Sequence, residues 1–215
     1  MDIKACLFDL DGVLVDTARF HFLAWKQLAD KLGFFFTEND NERLKGVSRM
    51  DSLEILLEVG NLRVSDKEKN RFAAEKNQVY LDFIQQMTPE DVLQGAREFL
   101  IEVRDNKILT GLGSASKNAR LIMEKTNLLP LFDVIVDGNL ISHAKPDPEV
   151  FALGAHMLGV QNTNCVVFED AVAGIRAAHN AAMKCVGIGS SEILKEADLV
   201  FPGLSHVRLK DLIFA

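Results

Sequence analysis

Short apolar runs recur along the chain, and stretches of helical periodicity separate them. Ile3 to Leu10, Ile108 to Gly113, Asp133 to Val136, Cys165 to Phe168, Lys184 to Ile188 and, with a weaker pattern, Asp198 to Phe201 read as buried strands. Helical spacing covers Gln94 to Asn106, Lys117 to Lys125, Pro148 to Leu158 and Ala171 to Ala182. Strand followed by helix, repeated in this way, predicts an α/β fold: a Rossmann-like, doubly wound parallel sheet with helices on both faces. Such sheets bind ligands beyond the carboxyl ends of their strands.

One stretch breaks the alternation. From Thr17 to about Gln86 the pattern is helical with no convincing strand, and it includes a Ser65-Asp66-Lys67-Glu68 capping box. Thr88-Pro89-Glu90-Asp91 then punctuates the return to the α/β pattern. The expected organisation is a core of residues 1–16 and 88–215, interrupted by an α-helical cap at 17–87. The Phe34-Phe35-Phe36 run is expected to pack between helices.

Composition narrows the function classes. A hydrophobic share of 48% with 26% charged residues suits a globular domain of 215 residues with a full core. Lys plus Arg number 24 against 31 Asp plus Glu, so the net charge of −7 disfavours nucleic acid and anionic membrane surfaces as partners. The acidic start and the lack of a long apolar run predict a cytoplasmic protein without a membrane span. Cys6, Cys165 and Cys185 each lie in an apolar run and read as reduced core thiols, and the five scattered histidines suggest no zinc site.

The chemistry-bearing residues gather at predicted strand ends. Asp9 and Asp11 are two apart where the first strand stops; such a pair is either a solvated turn or carboxylates that share a cation or a proton. Glu169-Asp170 ends a second apolar run, and four acids from two strand ends form an oxygen-rich set suited to Mg²⁺. Ser114-Ala115-Ser116-Lys117-Asn118 follows a third run and brings hydroxyls, N–H groups and an ammonium to a helix start, where phosphate binds well. Lys145, held extended before Pro146, supplies another cation. Gly111-Leu112-Gly113-Ser114-Ala115-Ser116 approximates a dinucleotide fingerprint, but Ser116 replaces its third glycine and Gly111 lies inside the strand, which argues against NAD.

In order, Asp9-Leu10-Asp11-Gly12-Val13, Ser114-Ala115-Ser116, Lys145-Pro146 and Glu169-Asp170 resemble the four motifs of the haloacid dehalogenase (HAD) superfamily. The resemblance spans the core and implies a HAD-like fold in which Asp9 is the nucleophile and becomes an aspartyl phosphate. It also implies Mg²⁺ held by Asp9, the backbone carbonyl of Asp11, Glu169 and Asp170. Asp11 would act as general acid and base, with Ser114 and Lys145 supplying charge and alignment.

The insert is similar to that of the superfamily's glucose-phosphate mutases, through Asp16-Thr17-Ala18, His21, Ala24-Trp25-Lys26, Leu44-Lys45-Gly46-Val47-Ser48-Arg49 and Lys76-Asn77. That similarity implies conversion of β-glucose 1-phosphate to glucose 6-phosphate through β-glucose 1,6-bisphosphate. Substrate contacts would come from Asp11, Thr17, His21, Trp25, Gly46, Val47, Arg49, Lys76 and Ser114, Ala115, Ser116, Lys117 and Asn118. Of these, Arg49 and Ser116 to Asn118 would hold the distal phosphate. Two departures stand out: Ala171 where serine is common, and the segment 137–143. If water replaces the sugar hydroxyl as acceptor, the same core becomes a phosphatase for sugar phosphates or phosphoglycolate; a non-catalytic phosphosugar-binding protein is the third reading. Closure of the cap about Asp16-Thr17 and Met87-Thr88 would decide between water and sugar, and a covering insert suits a monomer.

Overall fold

The computed structural model describes residues 2–44 and 47–214. Strand β1 (Ala5–Phe8) is followed by four consecutive helices, α1 (Ala18–Leu32), α2 (Glu38–Glu42), α3 (Arg49–Val59) and α4 (Asp66–Ile84). The chain then alternates: α5 (Ala96–Asp105), β2 (Leu109–Gly113), α6 (Ala119–Lys125), β3 (Val134–Val136), α7 (Glu149–Leu158), β4 (Cys165–Glu169), α8 (Val172–Asn180), β5 (Lys184–Ile188) and β6 (Leu199–Phe201). The strands form one parallel sheet in the order β3-β2-β1-β4-β5-β6, the doubly wound arrangement expected from the sequence.

Both faces of this sheet are covered, which explains why β1 and β4 are apolar at every position up to the closing Glu169 of β4. Cys6, Phe8, Val166 and Phe168 point into one core and Ala5, Leu7, Cys165 and Val167 into the other. Phe8 stacks on Phe168 with centroids 4.7 Å apart. Burying such a side chain contributes about 1.5–3 kcal/mol, so the two central strands are the firmest platform on which to place reacting groups. Cys6, Cys165 and Cys185 are free and buried.

The helical insert has its own apolar centre, built from Trp25, Leu28, Leu53, Leu56 and Phe72 among others. Phe36 joins it and Phe34 packs against it, but Phe35 is 92% exposed, so the phenylalanine run is only partly packing. Ser65 and Glu68 cap α4 reciprocally, as the sequence suggests. The connections into and out of the insert lie side by side: Leu93 N–H donates to Leu14 carbonyl, Val15 bridges Val92, and Arg19 pairs with Asp91 at 2.6 Å. Tying both connections together holds the insert over the carboxyl edge of the sheet.

Candidate active site

Asp9 follows the last residue of β1, and its N–H still donates to the Phe168 carbonyl on β4, so the central pairing fixes its backbone. Asp11 lies in the next turn, where Gly12 has φ of 84°. That glycine is required twice over, because a Cβ there would also fall 2.2 Å from Asp170 Oδ2. The close approach brings the carboxylate after β4 against the turn after β1, where the sheet order reverses.

Lys145, from the loop before α7, lies buried between these strand ends. Its Nζ donates to Asp9 Oδ1 and, at 2.7 Å, to Glu169 Oε1. The other Glu169 oxygen accepts the Ala171 N–H at 2.9 Å. Glu169 is itself fully buried, and its carboxylate sits where a side chain on residue 174 would be, with the ideal Cβ of Gly174 falling 1.7 Å from Oε1. Ala171, not Asp170, is the N-cap of α8.

The electrostatics follow from burial. Desolvation pushes the Asp9 carboxyl up to about 8, against the pull of Lys145. Burial also raises Asp11, and the hydrogen bond from the Thr17 hydroxyl counters part of that rise. For Lys145, burial works against the ammonium, yet Asp9 and Glu169 outweigh it and hold the charge above its ordinary range. Asp9, Glu169 and Asp170 each offer a carboxylate oxygen, and these oxygens lie within 4.8 Å of one another. Hard oxygen donors at that spacing fit Mg²⁺. The Asp11 carboxylate lies outside that set.

A cavity of about 540 Å³ opens between the sheet edge and the insert. Asp9, Asp11, Ser114, Ala115, Ser116, Lys117, Asn118 and Asp170 line it from the core; His21, Trp25, Val47, Arg49 and Lys76 line it from the helices. Lys145 and Glu169 lie behind this lining and act on Asp9. Thr17 is also fully buried behind it, holding Asp11. Gly46 lies outside the described residues. The serines of the segment 114–118 are shaped by their own backbone: Ser114 Oγ accepts from Ser116 N–H, and Ser116 Oγ from Asn118 N–H.

Lys76 is 3% exposed, 2.9 Å from His21 Nδ1 and 4.6 Å from the ring centres of Trp25 and Tyr80. Burial, with repulsion from Arg49, lowers its ammonium to about 7. Burial likewise drives His21 well below its usual range, with Lys76 and Arg49 adding to the effect. A neutral imidazole that accepts at Nδ1 carries its proton on Nε2, the nitrogen 3.9 Å from Asp11 Oδ1. The insert thus turns one N–H, that of His21, towards the carboxyl held by Thr17.

Sequence reasoning did not assign Asn41, Asn70, Asn77, Tyr80, Ser142 and His143 to the site, and all of them line the cavity. Tyr80 was reachable, since it lies four residues beyond Lys76 on the same face of α4. Asn77 adjoins Lys76 and accepts from Asn118 Nδ2 at 3.0 Å. Ser142 and His143 both fall in the departing segment 137–143. Asn41, within the polar run Glu38–Glu42, carried no signal.

Residues 3–182 match the haloacid dehalogenase-like hydrolase family, and the chain belongs to it. Within that family it is 40% identical over 210 residues to the β-phosphoglucomutase of Bacillus subtilis, covering 97% of this chain and 93% of that one. The crystal structure of β-phosphoglucomutase from Clostridium difficile matches with a TM-score of 0.94 and 43% identity, over 98% of this chain and 95% of the other. A phosphorylated carbohydrates phosphatase of Thermotoga maritima is 31% identical, covering 85% and 83%. These similarities put the chain on the isomerase side of the family, with the β-phosphoglucomutases.

Proposed function

We propose that the chain interconverts β-glucose 1-phosphate and β-glucose 6-phosphate through an aspartyl phosphate on Asp9 and β-glucose 1,6-bisphosphate. One observation carries the assignment of residues. A single cavity of about 540 Å³ is lined both by Asp9 and Asp11 and by the cations and polar groups of Arg49, Ser116, Lys117 and Asn118, which supports a sugar bearing two phosphates as its occupant.

An Asp9 oxygen attacks phosphorus, and the bond from phosphorus to the donor's oxygen breaks. Asp11 protonates that leaving oxygen. In the second transfer Asp11 takes the proton from the sugar hydroxyl that attacks the aspartyl phosphate, which frees Asp9. Burial that raises Asp11 favours the protonated carboxyl the first step needs. His21 and Lys76 orient Asp11 when the insert, residues 17–87, closes on the core of residues 1–16 and 88–215. Arg49, with its planar fork, holds the distal phosphate, aided by Ser116, Lys117 and Asn118. Thr17 contributes by fixing Asp11, and Trp25, Gly46, Val47 and Ala115 shape the sugar's surroundings.

Mg²⁺ would be held by Asp9, Glu169, Asp170 and the Asp11 backbone carbonyl, and would neutralise charge on the transferring phosphoryl group. Lys145 and Ser114 complete that neutralisation from the protein side. Among the described residues no helix is long and apolar enough to cross a membrane, and we place the protein in the cytoplasm as a monomer acting on small sugar phosphates.

The test is incubation of pure protein with β-glucose 1-phosphate, Mg²⁺ and a trace of the bisphosphate. Glucose 6-phosphate without free phosphate is the expected product. Stoichiometric inorganic phosphate would reject the mutase reading in favour of a sugar-phosphate phosphatase.

A further inference from the structure

Two buried side-chain oxygens among the described residues have no partner in hydrogen-bond geometry, Asn41 Oδ1 and Tyr80 Oη, and both residues line the same cavity. Tyr80 lies close enough to Thr17 and Asp11 to feel both, so its hydroxyl belongs with the catalytic acid. Asn41 stands apart, on α2 in the insert, and is only 8% exposed. A buried carbonyl oxygen without a donor is costly, and in a ligand cavity that cost is recovered when the ligand brings the donor.

The chemistry of the surroundings says what that donor is. Besides Arg49, Lys76 and His21, the insert lines the cavity with the non-ionisable Ser52, Asn70, Ala73 and Ala74. The other amide and hydroxyl groups of the insert lining that the structure pairs are already engaged: Ser48 Oγ bonds Asp51, and Asn77 Oδ1 accepts from Asn118. A phosphate dianion has no hydrogen to give, and a carbonyl oxygen repels it. A sugar hydroxyl has one. We infer that Asn41 is a specificity-determining residue whose carboxamide oxygen accepts a hydrogen bond from a ring hydroxyl of the sugar phosphate. The inference rests on the sugar-phosphate reading of the site above.

The experiment compares the Mg²⁺-loaded wild type with Asn41→Ala on β-glucose 1-phosphate and on its deoxy analogues at each free ring hydroxyl. Inhibition by inorganic phosphate serves as the probe of the charged subsites. In the wild type, kcat/KM falls by about 10-fold when the contacted hydroxyl is missing, the scale of one hydrogen bond. Asn41→Ala should lose the same factor on the parent sugar and nothing on that one analogue, with phosphate inhibition unchanged. Equal losses on every sugar, or none on any, would overturn the inference. If melting shows that Asn41→Ala does not fold, Asn41→Asp, which keeps an acceptor oxygen of the same shape, must retain the discrimination, and its loss is equally fatal. Should the wild type release inorganic phosphate in place of isomer, only the mutase reading fails, and the same analogue series scored on phosphate release still decides the role of Asn41.

Discussion

Replacing Gly174 with alanine separates two physical expectations of opposite sign. Gly174 is the third residue of α8, where local propensity favours alanine by about 0.8–1.0 kcal/mol. The tertiary structure opposes it, because the new Cβ would fall 1.7 Å from Glu169 Oε1, and contacts under 3.0 Å are not tolerated. The carboxylate must therefore retreat by about 1.3 Å, in a core too closely packed to absorb it. That oxygen is the one that accepts from Lys145 at 2.7 Å, and neither side chain is solvated. Disrupting a buried pair costs about 3–5 kcal/mol. Less the helical gain, Gly174→Ala should destabilise by roughly 2–4 kcal/mol, which for a chain of this size lowers Tm by roughly 5–15 °C. Displacing Lys145 from Asp9 by about an ångström should also reduce turnover about 100-fold. Thermal melting by circular dichroism and the coupled isomerase assay read the two effects. A variant that melts at or above the wild type and turns over normally would refute the packing argument, leaving propensity in control.

The charge of Lys76 makes a prediction about pH. Its ammonium is lowered to about 7 from 10.5, so between those values the unfolded chain holds the extra proton and stability must rise with pH, with the burial penalty fully felt below pH 7. In chelator-treated protein, urea unfolding of wild type and Lys76→Met should show the wild type gaining relative to the variant from about pH 7 to 9, and parallel profiles would exclude the assignment. Asp11→Asn should lower kcat by roughly 10²–10⁴-fold, the range of general acid–base catalysis; steady-state kinetics at unchanged melting temperature checks it, and near-normal turnover removes Asp11 from proton transfer. Arg49→Lys should raise KM about 10–100-fold through loss of charge-assisted hydrogen bonds, and an unchanged KM would move the distal phosphate elsewhere. Asp9→Asn should abolish the phosphorylated enzyme seen by intact-mass spectrometry after reaction with the bisphosphate, and a persisting adduct would displace the nucleophile.

Much of the fold lies in local pattern. Apolar runs too short for helices and too continuous for half-exposed strands point to a buried parallel sheet, and Ser65 with Glu68 or Thr88 with Asp91 mark helix starts through bonds made within four residues. The strand-end acids Asp9, Asp11, Glu169 and Asp170 are legible for the same reason, since each directly follows, ends or closely succeeds an apolar run. What no window of sequence contains is distance across the fold. Lys145 meets Asp9 across 136 positions, Lys76 meets His21 across 55, and a Cβ on Gly174 would clash only because the Glu169 carboxylate occupies the space beside it. Nor can a sequence state how dry a group is. The upward shift of Asp9, the lowered ammonium of Lys76 and the unpartnered oxygen of Asn41 all come from burial, a property of the packed surroundings and not of the residue. Residue types and their order along the chain determined the class of chemistry. The tertiary structure decided which groups are charged, which are held and which wait for a ligand, because desolvation and long-range contact exist only once the insert and the sheet edge enclose a common cavity.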